Sequence, residues 1–461
     1  MRLFKSYPMS GLLVAGAMAL TAGPALANEP ASTEAQLEQR VAELEAQLEA
    51  VMSQMQSNAT SQTTLEARIA ELQTSGGHDG LDASWSNGIR LDSASGAFKF
   101  AIGGRIQNDW GTFDADSDVE TALGSDRFQT ATEFRRARLY MAGTIYNNVG
   151  FKAEYDFAGG DADFADVYMT LDHPCVGLIT VGHQFEPFGL ETQTSSKYIT
   201  FMERSLASQI TPGRNTGISV ANVLDEKWNW RVGVFRPSNA YGDDNANLGA
   251  GEWAFSGRID GQIWADDNAS LNAGLSGRYA NEPEGFNFVG LRDEIAGAGA
   301  SGAQVLAGAL VGTGPLLIDG ETKSWGADLA YLRGPWHAQA EYVTNDFNTV
   351  TGSGDADGWA VQTGYFITGE TRTWKNGNWG RTSPAGNYGD GDHGGAWEVA
   401  VRYDEIDLDN GVLAGGKMDQ WTLGVNWYLN PNTRVMFNYA DIDIDDLGEV
   451  EYLGMRFAID F

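Results

Sequence analysis

Three guanidinium groups fall within four residues at Arg135, Arg136 and Arg138. The planar fork of arginine meets carboxylate or phosphate oxygens two at a time, so a cluster of this kind is suited to holding an anion. Period-two spacing adds partners. Arg105, Arg136, Arg138 and Lys152 share one strand face, and Asp109, Glu154 and Asp156 share it too. Arg135 has the opposite parity, but it stands at a strand start, where a bulge or the rim could turn it back to the same side. A second basic set lies where the alternation stops, between Val181 and Thr216: Lys197, Arg204 and Arg214 stand among Tyr198, Phe201 and Met202. That stretch is too apolar for an exposed loop. It suits a loop folded into an interior, with hydrophobes against a wall and cations at a constriction. Taken singly, each arginine reads more readily as one half of a salt bridge that only fixes the wall, and it is the cluster of three that shifts the balance toward an anion site.

Catalytic chemistry has no comparable signal. No Ser/His/Asp grouping, metal-ligand spacing or phosphate-cradling glycine loop is present, and the 5 histidines are scattered. The chain therefore reads as a binder or conduit rather than an enzyme, with no cofactor and no metal. Calcium at acidic stretches such as Asp441 to Asp446 has no EF-hand spacing behind it.

The elements that must position these cations are strands. From about residue 90 the pattern has period two: Phe98, Phe100, Ile102, Gly104 and Ile106 alternate with Lys99, Ala101, Gly103, Arg105 and Gln107. The same alternation returns at Ala137-Leu139-Met141, Phe151-Ala153-Tyr155-Phe157, Trp228-Trp230-Val232-Val234, Trp397-Val399-Val401-Tyr403 and Trp421-Leu423-Val425-Trp427. Such segments number about sixteen, the even count of a single-chain outer-membrane barrel. At the end of the chain Leu453, Met455, Phe457, Ile459 and Phe461 form an apolar face, with Gly454, Arg456, Ala458 and Asp460 between them. Lipid would meet the first set and a water-filled lumen the second. A last strand ending in Phe461 resembles the signal read by barrel-assembly machinery. The expected fold is all-β: a 16-stranded antiparallel transmembrane β-barrel preceded by a coiled-coil helix.

Composition agrees. A mean hydropathy of -0.29 with 42% hydrophobic residues is too polar for a bundle of membrane helices, whereas a barrel turns half of each strand toward water. One cysteine, Cys175, excludes an internal disulfide and Cys-based zinc sites. Arg2 and Lys5, an apolar run from Gly11 to about Ala22 and Pro24-Ala25-Leu26-Ala27 mark residues 1–27 as an export signal. Leu37, Val41, Leu44, Leu48, Val51 and Met55, then Leu65, Ile69 and Leu72, step by four and three, with Asn58 and Gln62 on the same register. Residues 28–75 thus read as a periplasmic coiled coil that needs partner helices, residues 76–90 as a linker and residues 91–461 as the barrel.

The 30 basic and 62 acidic residues give a net charge of -32, which opposes nucleic-acid binding. The excess concentrates in long joints such as Thr112 to Glu133, with six carboxylates against Arg127, and Tyr241 to Glu252. These alternate with short joints at Asn147-Asn148, Arg333-Gly334-Pro335 and Asn430-Pro431-Asn432, as expected of the two rims of an outer-membrane barrel. One joint dissents: if twelve strands precede it, the long stretch from Thr368 to Gly394 falls on the short-turn side.

Several motifs together carry a resemblance. Phe134-Arg135-Arg136-Ala137-Arg138-Leu139, Lys152-Ala153-Glu154-Tyr155-Asp156-Phe157, Pro187-Phe188-Gly189-Leu190-Glu191 and Thr194-Ser195-Ser196-Lys197-Tyr198 with Phe201-Met202-Glu203-Arg204 are similar to the phosphate-selective porins O and P. Tyr365-Phe366-Ile367-Thr368-Gly369-Glu370-Thr371-Arg372, Gly395-Ala396-Trp397-Glu398 and Asn426-Trp427-Tyr428-Leu429-Asn430 with Asn438-Tyr439 extend the match from about residue 98 to the end. The resemblance implies a trimer of sixteen-stranded barrels in outer-membrane lipid, with an infolded third loop and an arginine-lined constriction that passes anions, phosphate above all, by diffusion. It also implies an extended joint at Thr368 to Gly394. Two departures stand out: relatives often carry a lysine where this chain reads Gln184-Phe185-Glu186, and the loops are strongly acidic.

The resulting expectation is a passive outer-membrane channel with Arg105, Arg135, Arg136, Arg138, Lys152, Lys197, Arg204 and Arg214 at an anion constriction. The alternatives are a general porin without anion selectivity and a structural tether acting through the coiled coil.

Overall fold

The computed structural model describes residues 38, 40–57, 63, 80–125, 128–225, 227–236, 253–289, 310–311 and 315–461. The expected export signal lies outside the described residues, as do the Tyr241 to Glu252 loop and the heptads after residue 63. Within the expected coiled coil, residues 40–57 form one helix, α1, whose Val41, Leu44, Leu48, Val51 and Met55 are exposed. The stretch taken as a linker is more than a connector. It carries β1 (Leu81–Trp85) and the start of β2 (Ile89–Ser93), a hairpin whose second strand pairs with the first barrel strand, Ile89 opposite Ile102.

The wall begins with β3 (Phe98–Ala115), β4 (Ala131–Ile145), β5 (Val149–Asp156), β6 (Asp163–His173), β7 (Gly177–Phe185) and β8 (Arg214–Leu224). It continues with β9 (Trp228–Arg236), β10 (Trp253–Ala265), β11 (Ala269–Val289), β12 (Pro315–Arg333), β13 (Trp336–Thr349) and β14 (Gly352–Phe366). A small hairpin, β15 (Trp374–Lys375) with β16 (Asn378–Trp379), lies in a sheet of its own. Then come β17 (Ala396–Asp407), β18 (Lys417–Asn430), β19 (Thr433–Ile444) and β20 (Gly448–Asp460). Neighbours pair antiparallel, and β20 returns to β3, from Val450 opposite Ala115 to Asp460 opposite Arg105. That last ladder closes sixteen strands into a barrel and leaves no open edge. Phe461 continues the seam, exchanging backbone hydrogen bonds with Gly104 at 2.7 and 3.0 Å.

Alternation explains which way each strand faces. Ile102, Ile106, Leu139, Met141, Val232, Leu423 and Phe457 are exposed on the outside, and Arg105, Gln107, Arg138, Arg402 and Arg456 are buried inside. The outer face carries two aromatic rows on five strands, each pair six residues apart: Trp325 and Tyr331, Trp336 and Tyr342, Trp359 and Tyr365, Trp397 and Tyr403, Trp421 and Trp427. Six residues span about 20 Å along a strand, close to the apolar band that aromatic girdles flank in such barrels. Neighbouring rings touch across strands, as with Trp336–Tyr365 at 4.7 Å, Tyr403–Trp421 at 4.9 Å and Trp397–Trp427 stacked at 5.2 Å.

The rims differ. Where the barrel starts and ends, most joints are tight: Tyr146 and Asn147 take left-handed φ of 50° and 70°, and Gly334, at φ 54°, opens the turn between paired Arg333 and Trp336. Twelve wall strands precede residues 367–395, so that joint does belong to the tight rim and is long there. On the opposite rim the first loop is shorter than expected, because β3 runs to Ala115 and β4 starts at Ala131, with helix α2 (Ser117–Leu123) between them. Two joints of that rim, 350–351 and 445–447, are also tight.

Candidate functional site

The interrupted stretch is an inward loop, residues 186–213, set between β7 and β8. The regular alternation runs a little further than the sequence indicates, to Phe185, and resumes at Arg214. The loop crosses the lumen to the opposite wall. Its Phe188, Leu206, Ala207 and Ile210 pack with Val343, Phe347, Ala356 and Ile406 of β13, β14 and β17. Burying such side chains contributes roughly 1.5–3 kcal/mol each, which makes the expected hydrophobic seat of the loop its main attachment. The contact is close enough to require glycine at 358, where a Cβ would come within 2.8 Å of Ala207 Cα.

Polar groups complete the seat. Buried Glu341 accepts the backbone N–H groups of Leu190 and Glu191 at 3.0 and 3.1 Å, at the start of the single-turn helix α3 (Leu190–Gln193). Buried Glu186 accepts from Asn215 at 2.7 Å, from Arg278 at 3.0 Å and from Ser256. Four wall and turn arginines then donate to loop carbonyls. Arg372 reaches Tyr198 O at 2.6 Å, Arg434 reaches Ile199 O at 2.8 Å, Arg402 reaches Glu203 O at 3.0 Å, and Arg456 reaches Met202 O. These carbonyls have no strand partner, and the guanidinium groups satisfy them.

Of the eight cations singled out in the sequence, Lys197 and Arg204 lie on this loop, Arg105, Arg135 and Arg136 reach it, and Arg138, Lys152 and Arg214 pair with carboxylates of the wall. Along the wall runs a chain of shared charges. Arg138 donates to Asp156 at 2.6 Å and stands 3.6 Å from Glu154; Arg105 and Lys152 meet the same Glu154 at 2.8 and 2.7 Å. Lys152 and Arg214 then share Asp166 at 2.6 and 2.7 Å. Arg105 also donates to Ser196 of the loop at 2.7 Å, which ties wall to loop.

Arg135 is drawn inward by a bulge. Gln107 pairs with Arg136 and Asn108 with Phe134, so Arg135 is the extra residue, and it forks onto Glu203 at 2.9 and 3.1 Å. Arg136 lies beside it with 0% exposure, donating to Gln107 at 3.0 Å, and Glu203 also meets Arg456 at 2.6 Å. Burial alone would push the Glu203 carboxyl up. Arg135, Arg456 and Arg136 overcome that and hold it well below the usual carboxylate range.

Arg204 differs from the rest. It donates to Glu191 O at 2.9 Å and Thr194 O at 3.0 Å, so it staples the loop to itself. Arg136 and Arg204 are thus buried and turned to protein partners. The side chains of Lys152 and Lys197 retain 24% and 17% exposure, and Arg214 is comparable.

The long joint 367–395 enters from the tight rim and meets the underside of the loop. Arg372 binds Tyr198 O and Thr200 Oγ1, and its guanidinium lies 4.0 Å from the Trp379 ring centroid and 3.2 Å from His337 Nδ1. Burial lowers Arg372 to about 10, with Glu398 acting against it, so it stays charged at neutral pH. Arg381 donates to Tyr198 Oη at 3.3 Å and to Asp460 Oδ1 at 3.1 Å. Lys197 stands 3.5 Å from the same Asp460. Burial brings the Lys197 ammonium down to about 8; Asp460 opposes the shift and Arg105 and Arg381 add to it.

Arg372, Arg381, Arg402, Arg434 and Arg456 were not singled out in the sequence as constriction residues. The inward parity of Arg402, Arg434 and Arg456 is a signal for three of them, and the anomalous length of the joint holding Arg372 and Arg381 is a signal for the other two. Among the described residues no group of three or more His, Cys, Asp or Glu is placed to hold a metal ion.

Comparison with known proteins gives a consistent result. A family model described as phosphate-selective porin O and P matches residues 100–460. Porin O of Pseudomonas aeruginosa is 28% identical over 408 residues, covering 80% of this chain and 89% of the relative. An uncharacterized protein of Caulobacter vibrioides is 28% identical over 407 residues, covering 82% of this chain and 77% of the relative. Among solved structures, an anion-selective porin from Comamonas acidovorans superposes with a TM-score of 0.46 at 14% identity, covering 78% of this chain and 100% of that one.

Proposed function

The chain belongs to the phosphate-selective porin O and P family, and from that premise we propose that its outer-membrane channel is a passive path for small anions, phosphate among them. One observation carries the reading: at the narrowing around the inward loop, single carboxylates are shared by several cations. Glu154 serves Arg105, Arg138 and Lys152; Glu203 serves Arg135, Arg136 and Arg456; Asp166 serves Lys152 and Arg214; with Asp156 on Arg138 and Asp109 on Arg456, seven cations meet five carboxylates. A carboxylate divided in this way leaves positive potential in a low-dielectric neck, which favours anions there although the whole chain is acidic. Lys152, Lys197 and Arg214 face the solute, and Arg105, Arg135, Arg136, Arg138 and Arg204 hold their surroundings. The tight rim faces the periplasm, and the apolar stripe of α1 supports self-association through a coiled coil, with the trimer the family suggests.

Reversal potential across a bilayer separating unequal KCl concentrations tests this reading. The expected result is anion preference, with added phosphate blocking chloride current, and a weaker preference after joint replacement of Lys152, Lys197 and Arg214 by glutamine. Cation preference without phosphate block would overturn it. A general porin is the second reading, favoured by the close pairing of each of these cations with a carboxylate.

A further inference from the structure

On its outer face, away from the pore, the wall carries a groove of about 940 Å³ across β7 to β10. Val181, Ile218, Val232, Val234 and Phe255 line it, and Gly257, paired with Val232, adds no side chain to fill it. The aromatic rows fix its depth. Trp253 of β10 stands at the loop-rim end of the groove, and six residues further down the strand Ile259 pairs with Trp230 of β9. That is the spacing of the girdle pairs on β12 to β18, about 20 Å, so the groove lies between the two water interfaces of the membrane. Rings at those two levels suit a wall that faces lipid rather than a second copy of the chain.

A cation caps the groove. Arg236 ends β9 opposite Thr216, on the same outward parity as Val232 and Val234, and its guanidinium lies 5.4 Å from the Trp253 ring centroid. From Arg236 to Val232 is four residues, about 13 Å, or roughly half of an apolar band about 25 Å tall. The groove therefore spans one leaflet, with its cation at headgroup level. Five N–H donors let an arginine serve a phosphate along with other acceptors. Elsewhere the loop rim repels such a group: the outward positions just above the aromatic row on β14 to β20 include Asp357, Glu405, Asp419, Asp441 and Glu451. Of the lysines on that outer face, Lys323 and Lys417 each stand 3.0 Å from a carboxylate, Glu321 and Glu405.

We propose that this groove binds one membrane lipid of the leaflet around the loop rim, with an acyl chain laid along Val232, Val234 and Gly257 and its phosphate headgroup held by Arg236. Trp253 and the guanidinium together form the headgroup seat, the ring supplying an amphipathic edge and the cation the charge. The site is on the opposite side of the wall from the pore, so it is independent of which solutes the channel passes. It gives an acidic outer surface one place at which an anionic lipid is attracted.

The test is native mass spectrometry of the full-length protein in detergent, titrated with dimyristoyl phosphatidic acid or with dimyristoyl phosphatidylcholine, which has the same chains and no net charge. Native protein should bind the first lipid threefold or more tightly than the second. Arg236→Gln should erase that preference, and Lys323→Gln, on the same rim, should leave it intact. Gly257→Leu, which fills the groove, should weaken both lipids threefold or more. A preference within twofold of native in Arg236→Gln overturns the headgroup assignment. Unchanged lipid binding in Gly257→Leu places the lipid elsewhere and refutes the groove, and if that variant also splits the oligomer, the wall is a subunit contact instead. Should Gly257→Leu fail to assemble, the comparison of Arg236→Gln with Lys323→Gln decides alone.

Discussion

Raising the pH should switch off one of the charges at the constriction. Lys197 is brought down to about 8 chiefly by burial, with Arg105 of β3 and Arg381 of the long joint lowering it further and Asp460 of β20 and Glu154 of β5 opposing them. The ammonium is charged below that value and neutral above it, so anion preference should be greatest near pH 6 and decline through pH 8 to a lower plateau near pH 10. A unit charge about 6 Å from a passing monovalent anion, at an effective dielectric of about 40, contributes roughly 1.4 kcal/mol. Screening at about 0.1 M salt takes away something like half of this, leaving about 0.7 kcal/mol, or about a threefold change in permeability ratio. The assay is reversal potential in a KCl gradient, since chloride carries no proton of its own to confuse the titration. Lys197→Met should show the high-pH ratio at every pH. A native ratio that is flat from pH 6 to 10, or a step that persists in Lys197→Met, would refute the assignment.

Other substitutions separate shape from charge. Glu203→Gln should raise anion preference, because Arg135, Arg136 and Arg456 lose a shared counter-charge; breaking such a buried pair costs about 3–5 kcal/mol, so the unfolding temperature should fall as well. An unchanged melting curve would count against that network. Replacing Arg402 and Arg434 together by alanine leaves two loop carbonyls without those donors, at about 1–3 kcal/mol each, and should appear as increased open-channel current noise. Quiet currents in that variant would mean that the hydrophobic seat alone fixes the loop. Phe461→Ala should reduce the amount of assembled protein in the outer membrane without changing the conductance of the channels that do insert. Normal levels would contradict a role for the terminal ring in assembly.

The barrel was legible because its physics is local. Two-residue periodicity at Phe98 to Gln107 or Trp421 to Trp427 reports one dry and one wet face, and the alternating faces of sixteen such segments leave closure as the remaining solution. The inward loop announced itself by apolar residues where an exposed loop has no use for them. The bulge at Arg135 was legible as a possibility, because a strand start with the wrong parity has few other ways to turn a charge inward. The partners were not legible. Whether Arg136 faces solute or is walled off depends on Glu203 and Arg456, which lie far along the chain, and no spacing rule links them. Arg204 looked like a pore cation, but its donors go to Glu191 O and Thr194 O. Such short-range pairing depends on the loop's path, which periodicity does not encode. The hairpin at Leu81 to Ser93 was likewise hidden, because its strands are short and its pairing is with the start of β3.

The guanidinium contacts to loop carbonyls also set an order of events. Tyr198, Ile199, Glu203 and Met202 wait for donors that lie 174, 235, 199 and 254 residues away, respectively. The loop is therefore made early and seated late, after β17 to β20 have joined the wall. Contacts of such range delay the final arrangement until most of the chain is in place. A barrel arrested before its last strand would still span much of the bilayer, but its loop would lack the Met202 tether and Lys197 its Asp460 partner. The seating of the loop is thus a product of closure, and an incompletely zipped chain would hold it by fewer donors.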